Sequence, residues 1–265
     1  MLALEFSLES KIRRKKLCPL NVQILYNNMK KLIIVALFCL LLLPAPAFAH
    51  KLIPTDGSNI NYQSALEIPD PVISWAMYEK LEGNALFYKF EAEKDDRLFS
   101  SIVIPKLDGL ENFAPSLVLI GPEEYLELID DLRSLDSNTD FDYPIPEGYI
   151  AYVFDFNGSF PSKEFYEPFG QITYWERQEI NFELEAPGTY YMAVFDKNGT
   201  SGKLALAIGY IEDFSGNDFV TVLPNAWLES RYFSEDFTPL LIFIGIISGI
   251  FGLIGFGVYR KLNKK

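Results

Sequence analysis

Histidine and cysteine are almost missing from this sequence: 265 residues hold one His, His50, and two Cys, Cys18 and Cys39. These absences exclude several chemistries. A Cys–His nucleophile has no partners to assemble from. A Ser-His-Asp triad would need His50 as its base. Structural zinc sites built on Cys and His, and a helical His-Glu-x-x-His site, are equally out of reach. Both cysteines precede residue 50, so the part of the chain after it has no disulfide, and its stability must come from burial. Basic residues are also scarce there. Residues 50–237 carry 34 acidic and 12 basic side chains, a net charge of −22, against −13 for the whole chain. The basic residues concentrate at the two ends. Such a field repels nucleic acid and anionic headgroups, so no nucleic-acid partner is expected. It is consistent either with a well-solvated surface or with attraction of cations.

Two apolar runs frame this acidic middle. From Met29 the chain reads MKK, then an unbroken apolar stretch over 32–43, then "PAPAFAH". A short basic start, about 12 apolar residues and small residues at −3 and −1 make a secretory signal peptide over 29–49, with cleavage before His50. The run is too short to span a bilayer, which needs roughly 20 residues. Residues 1–28 fit this poorly; they are either a start codon assigned too early or a long cytoplasmic n-region. The second run, residues 240–259, is free of charge and is followed by Arg260, Lys261, Lys264 and Lys265. Its length matches a transmembrane helix, expected over 238–259. The positive-inside rule puts the tail, 260–265, in the cytoplasm and residues 50–237 outside the cell membrane. Gly245 and Gly249 form a GxxxG spacing that lets two helices approach, although glycine is common in such helices anyway.

The middle reads as strands. In "LFYKFEA", Leu86, Tyr88, Phe90 and Ala92 share one face, and Lys89 and Glu91 fall on the other. Comparable segments over 74–81, 98–104, 116–120, 148–154, 180–184, 189–195 and 203–209 bring the total to about eight. That count predicts a mainly β fold, a jelly-roll-like β-sandwich. One helix is expected to interrupt it after Pro122, with Leu126, Ile129, Leu132 and Leu135 on one side, ending before Asp136.

Two segments together carry a resemblance: "ALFYKFEAEKDDRLFSSIVIP" with "SLVLIGP" after it, and "INFELEAPGTYYMAVFDKNGTSGKLALAIG". They resemble the bacterial and archaeal pre-peptidase C-terminal domains, with a Tyr-x-Phe strand and a later Pro-Gly-Thr-Tyr and glycine turn. The resemblance implies a secreted β-sandwich that is an accessory or binding module rather than a catalyst. An insertion of roughly 55 residues separates the halves. With "EFYEPFGQITYWERQ" and "IPDPVISWAMYEKL", the chain looks more like a group of membrane-anchored archaeal and bacterial surface proteins that brings no activity to carry over.

Candidate sites are few. At a free N-terminus, the α-amine and ring of His50 could chelate Cu²⁺, against a frayed solvent-exposed terminus. Asp136, Asp140 and Asp142, or Asp196 with Asn198, offer oxygen ligands to Ca²⁺, against ordinary turn chemistry. Tyr166, Tyr174 and Trp175, with Phe165 and Phe169, suggest either a platform for a protein or glycan partner or a loop sealing an open end of the sandwich. Asn157 and Asn198 stand in glycosylation sequons. Paired carboxylates read as surface charge. The expectation is a non-catalytic, membrane-anchored cell-surface protein without a cofactor; the alternative is a Cu- or Ca-binding one, with a carboxylate-only enzyme third. The intact mass of the native protein should begin at His50. A mass that includes earlier residues would overturn the cleavage reading.

Overall fold

A computed structural model describes residues 31, 50–133, 135 and 140–263. The expected leader apart from Lys31, the segment 1–28, Cys18, Cys39 and Asp136 lie outside the described residues. All described residues but Lys31 belong to one compact unit, Pro46–Lys265.

Among the described residues, eleven strands pair into two sheets. The eight expected strands are all present, as β3 (Trp75–Leu81), β4 (Leu86–Ala92), β5 (Arg97–Pro105), β6 (Ser116–Pro122), β7 (Tyr149–Phe154), β9 (Ile172–Glu183), β10 (Gly188–Phe195) and β11 (Gly202–Ile208). Three short ones join them: β1 (Lys51–Leu52), β2 (Leu66–Glu67) and β8 (Glu164–Glu167). Sheet A runs β1-β3-β11-β5-β9-β8 and sheet B runs β2-β4-β10-β6-β7. Most consecutive strands cross from one sheet to the other, so the protein is a β-sandwich with jelly-roll-like crossings. The N-terminal segment first pairs β1 parallel to β3, then β2 parallel to β4, and so binds one edge of each sheet.

Alternation decides which side chains enter the core. Met77, Tyr88, Phe90, Ile102, Leu119, Tyr190, Leu204 and Leu206 project between the sheets and are buried. Packing in such an interior is crystal-like, so turns must hold the strands in exact phase. Gly209 ends β11 with φ +80°, and its amide donates to Phe99 O at 2.8 Å. A Cβ there would lie 2.0 Å from the Ile73 carbonyl oxygen. An acidic side chain of β3 is buried among these apolar groups. Glu79, 3% exposed, accepts from the Tyr88 hydroxyl at 3.0 Å, and burial pushes its carboxyl above the usual range.

A bulge between β5 and β9 turns Arg177 and Gln178 inward, where both are buried. Arg177 donates to Phe113 O at 2.8 Å and Glu111 O at 3.0 Å, between the rings of Phe156 and Phe160. Burial brings its guanidinium down to about 10. Gln178 donates to Pro115 O at 2.5 Å. Together they stitch the β5–β6 connection to the sheet.

Two expectations are corrected. The single helix after Pro122 is one α turn, α1 (Glu123–Leu126), followed by an extended residue, Ile129, and a 3-10 turn at Asp130–Leu132. Five acids crowd this stretch, and so short a helix gains too few hydrogen bonds to offset nucleation. Leu126, Ile129 and Leu132 are nonetheless buried, and Leu135 is exposed. The stretch "EFYEPFGQITYWERQ" is not a loop over an open end of the sandwich; it is the β8–β9 hairpin that widens sheet A.

A helix the sequence reading left unassigned, α2 (Asp218–Ser234), precedes the apolar helix α3 (Thr238–Leu262). Residues Thr238–Arg260 of α3 are long and apolar enough to cross a membrane, with mean hydropathy 2.5. Gly209→Ala should lower stability by about 3 kcal/mol, because both the left-handed φ and the carbonyl clash oppose the methyl group. An unchanged melting temperature would refute that account of the turn.

Candidate functional site

The two outer faces of the sandwich differ. On sheet B, Phe87, Val118, Ile120, Ala193 and Phe195 point outward and are covered by Phe141, Tyr143 and Tyr62. The rings of Phe141 and Phe195 meet edge-on at 5.3 Å, and the Tyr143 hydroxyl accepts from the Ala85 amide at 2.9 Å. Aromatic edges and faces in contact make this a sealed second core.

Sheet A is only partly covered. The register lines up Ala76, Ala207, Ser101 and Glu179 across β3, β11, β5 and β9. The next row is Tyr78, Ala205, Val103 and Glu176. Small side chains in the middle of both rows leave a depression, a groove of ≈ 460 Å³. That volume is in the range of small-ligand sites. His50 and Leu52 of the β1 edge, Ala226 of α2, and Phe165, Phe169 and Lys163 around β8 rise along its sides.

α2 forms the wall at one end. Phe233 stacks on Tyr78 with ring centroids 4.5 Å apart, and Tyr174 lies 6.5 Å from the same ring. Arg231 is fully buried beneath the helix. Its Nη2 donates to Ser230 Oγ at 3.1 Å, and its guanidinium lies 5.3 Å from the Trp227 ring. Burial lowers its pKa, and the nearby Asp236 and Glu167 carboxylates work in the opposite direction. Glu167 accepts from the Phe169 amide at 2.7 Å and from the Gly170 amide, while burial raises its pKa. Desolvation pushes the Tyr78 phenol up to about 12 and raises that of Tyr174. Both therefore stay neutral at physiological pH. At the rim, Lys163 pairs with Glu176 at 3.0 Å. The groove thus has an uncharged floor and a rim with more acid than base.

The residues singled out in the sequence are scattered. His50 lines the groove and shares a hydrogen bond with Ser74 Oγ, at 2.5 Å from Nδ1. Tyr174 is 3% and Trp175 4% exposed. Tyr174 faces outward under Phe165 and Phe233, and Trp175 points into the core between the sheets. Adjacent strand residues face opposite ways, so these two cannot form one platform. Tyr166 is exposed on β8. Asp196 Oδ1 accepts from the Asn198 and Thr200 amides, each at 2.9 Å, and so holds the β10–β11 turn. Asp140 is paired with Lys197 at 3.0 Å, and the same lysine reaches Asp155 at 2.7 Å. Among the described residues, no group of three or more His, Cys, Asp or Glu side chains is arranged to hold a metal ion. Asn157 is exposed in the irregular segment after β7, and Asn198 is exposed in the β10–β11 turn. Sequence reasoning missed the small-residue floor and α2. The floor's signal is the run of Ala and Ser at alternate strand positions; that of α2 is Val222, Ala226, Ser230 and Phe233 at helical spacing.

Burial holds the His50 imidazole below its ordinary pKa. The unfolded chain then binds more protons than the folded one, so this contribution is complete above about pH 6.5 and is lost as pH falls below it. The buried Glu79 and Glu167 carboxyls act with the opposite sign. The stability difference between the protein and its His50→Gln variant should therefore shrink from pH 7.5 to pH 5 (roughly the His titration window). A difference that stays constant over that window would show that the imidazole is not desolvated.

Among solved structures, the chain is similar to the pre-peptidase C-terminal domain of a collagenase from Bacillus anthracis, with 15% identity over 54% of this chain and 91% of that one, and a TM-score of 0.29. It is also similar to CorA of Methylomicrobium album BG8, described as a surface-associated copper-binding protein important in copper acquisition, with 10% identity over 62% of this chain and 100% of that one, and a TM-score of 0.26. No protein-family profile and no curated protein matches the sequence. At these values the likeness carries no argument, and the two-sheet strand order carries the β-sandwich assignment by itself.

Proposed function

We propose that this is a non-catalytic surface protein, anchored by α3 with its sandwich outside the cell membrane, that binds an extended segment of a protein or glycan partner in the groove on sheet A. The observation that carries the reading is the contrast between the faces. Sheet B's outer face is sealed by aromatic rings, whereas the centre of sheet A is floored by Ala76, Ala205, Ala207 and Ser101 and left open. A face that could be filled by larger side chains, yet is hollow, has the form of a binding site. Its acidic rim favours a neutral or basic ligand. In α3, a Cβ at Gly245 or Gly249 would meet nothing within 4 Å among the described residues, which leaves that face open to a second copy.

Filling the groove tests the reading. Ala207→Trp would occupy the floor from an outward-facing position and leave the interior packing between the sheets untouched. Full-length protein and variant are each cross-linked in native membranes, and both are also applied in detergent to a glycan array. Partners of the unmodified protein should lose at least about tenfold in capture with the variant, an amount equivalent to ~1.4 kcal/mol. Equal capture by a variant with an unchanged melting temperature would sink the groove as the binding site.

A further inference from the structure

α2 has two working faces. One packs on sheet A through Ala226, Ser230, Arg231 and Phe233. The other carries Val220, Leu228 and Tyr232, which are 71%, 38% and 59% exposed, with Pro224 between them and Phe237 just past the helix end. Positions 220, 224, 228 and 232 are four residues apart and run as one stripe along the helix. A stripe of this kind on a freely solvated domain would present unfavourable apolar surface to water.

What covers the stripe follows from how α2 joins α3. Glu235 ends α2 in the left-handed conformation, and α3 begins three residues later at Thr238. The chain folds back enough for the Trp227 ring to meet the Phe243 ring edge-to-face at 6.5 Å. Phe243 stands in the second turn of α3, about 8 Å along its axis from Thr238. A ring touching it is therefore held near the level at which the apolar span begins. Tyr232 and Phe237 meet at 5.3 Å at the same junction. Trp, Tyr and Phe at the mouth of an apolar span form the aromatic belt of a membrane interface.

We infer that α2 is an interfacial helix: its Val220–Leu228–Tyr232 stripe lies in the headgroup region of the bilayer while its other face carries the sandwich. This rests on reading α3 as the membrane span. Among the acids near the stripe, Glu229 is exposed beside Leu228 and about 100° round the helix from it, where it can stay in the hydrated headgroup layer, and those at the helix ends are held. Asp218 is paired with Lys51 at 3.5 Å, Glu235 with Lys203 at 2.6 Å, and Asp236 accepts from the Thr238 amide at 2.9 Å. The domain's charge disfavours anionic lipid, so the surface it fits is a neutral or zwitterionic one, held by apolar contact. The consequence is that the groove on sheet A, walled by the same helix, is kept at a fixed height beside the membrane, where it can meet partners embedded in or attached to the bilayer.

Spin labels test the placement. The full chain, with both native cysteines changed to serine, carries Leu228→Cys, Tyr232→Cys, Ile247→Cys in α3 or Lys89→Cys on sheet B, each alone, in phosphatidylcholine nanodiscs. Labels at 228 and 232 should be more accessible to oxygen than to an aqueous nickel chelate. Their depth should be shallower than that at 247, and the label at 89 should be fully aqueous. If 247 lies in lipid while 228 and 232 are as aqueous as 89, the interfacial helix is wrong and the anchor stands. If 247 is aqueous, both fall. Broadening at 228 that vanishes on dilution with unlabelled chain would assign the stripe to a second copy and overturn the lipid contact.

Discussion

The docking of α2 on sheet A is the contact on which the rest depends. Phe233 lies flat on Tyr78, and beside it a fully buried guanidinium, Arg231, is held under the helix. A buried cation is costly unless its donors and charge are matched. Here Ser230, the Trp227 ring and the neighbouring Asp236 and Glu167 carboxylates share that role. Lys203 adds a second tie from β11, donating to the Phe233 carbonyl at 3.0 Å and reaching Glu235. One helix thereby covers part of an outer face, walls the groove and connects the sandwich to α3.

The asymmetry of the two outer faces has the same origin. In a two-layer sandwich each sheet has an outer face that must be polar, covered or used. Sheet B is covered by its own connections: the turn at Tyr62–Ser64 and the loop around Phe141 and Tyr143 place rings over Phe87 and Phe195. Sheet A receives α2 at one end and β8 at one side, and between them the small residues of β3, β11 and β5 leave space. Charge follows the same division. Buried groups beside the groove are neutral phenols or tightly bonded, and the acids that dominate the composition stand at the rim and beyond.

The eight longer strands were legible because each is long enough to show alternation, as in Leu86, Tyr88, Phe90 and Ala92. β1, β2 and β8 were not, since two to four residues carry no period. The turn chemistry of Asp196 was also readable, since a carboxylate at the head of a tight turn accepts the amides that follow it, here those of Asn198 and Thr200. The stretch after Pro122 shows the reverse error. Leu126, Ile129 and Leu132 have helical spacing and are buried, but two short turns joined at Ile129 bury them as well as a helix would. α2 was hidden by Pro224 in its middle and by an apolar face on each side, which blurs the single-faced pattern of a surface helix. Tyr174 and Trp175 looked like one aromatic patch because they are neighbours in sequence, and in a strand that is the reason they are separated.

Local chemistry determined what the residues could say one segment at a time: the missing thiols and imidazoles, the acidic middle, the uncharged run before a basic tail, and the strand periods. These depend on composition and on neighbours within a few positions, so no fold is needed to read them. Only the tertiary structure decided which outer face is sealed and which is open, that alanines of β3 and β11 and a serine of β5, distant in sequence, form one floor, and that the helix before α3 has two apolar faces. Each of these is a matter of register and layer, fixed when residues up to more than a hundred positions apart, such as Ser100 and Ala207, are brought within hydrogen-bonding distance at 2.8 Å.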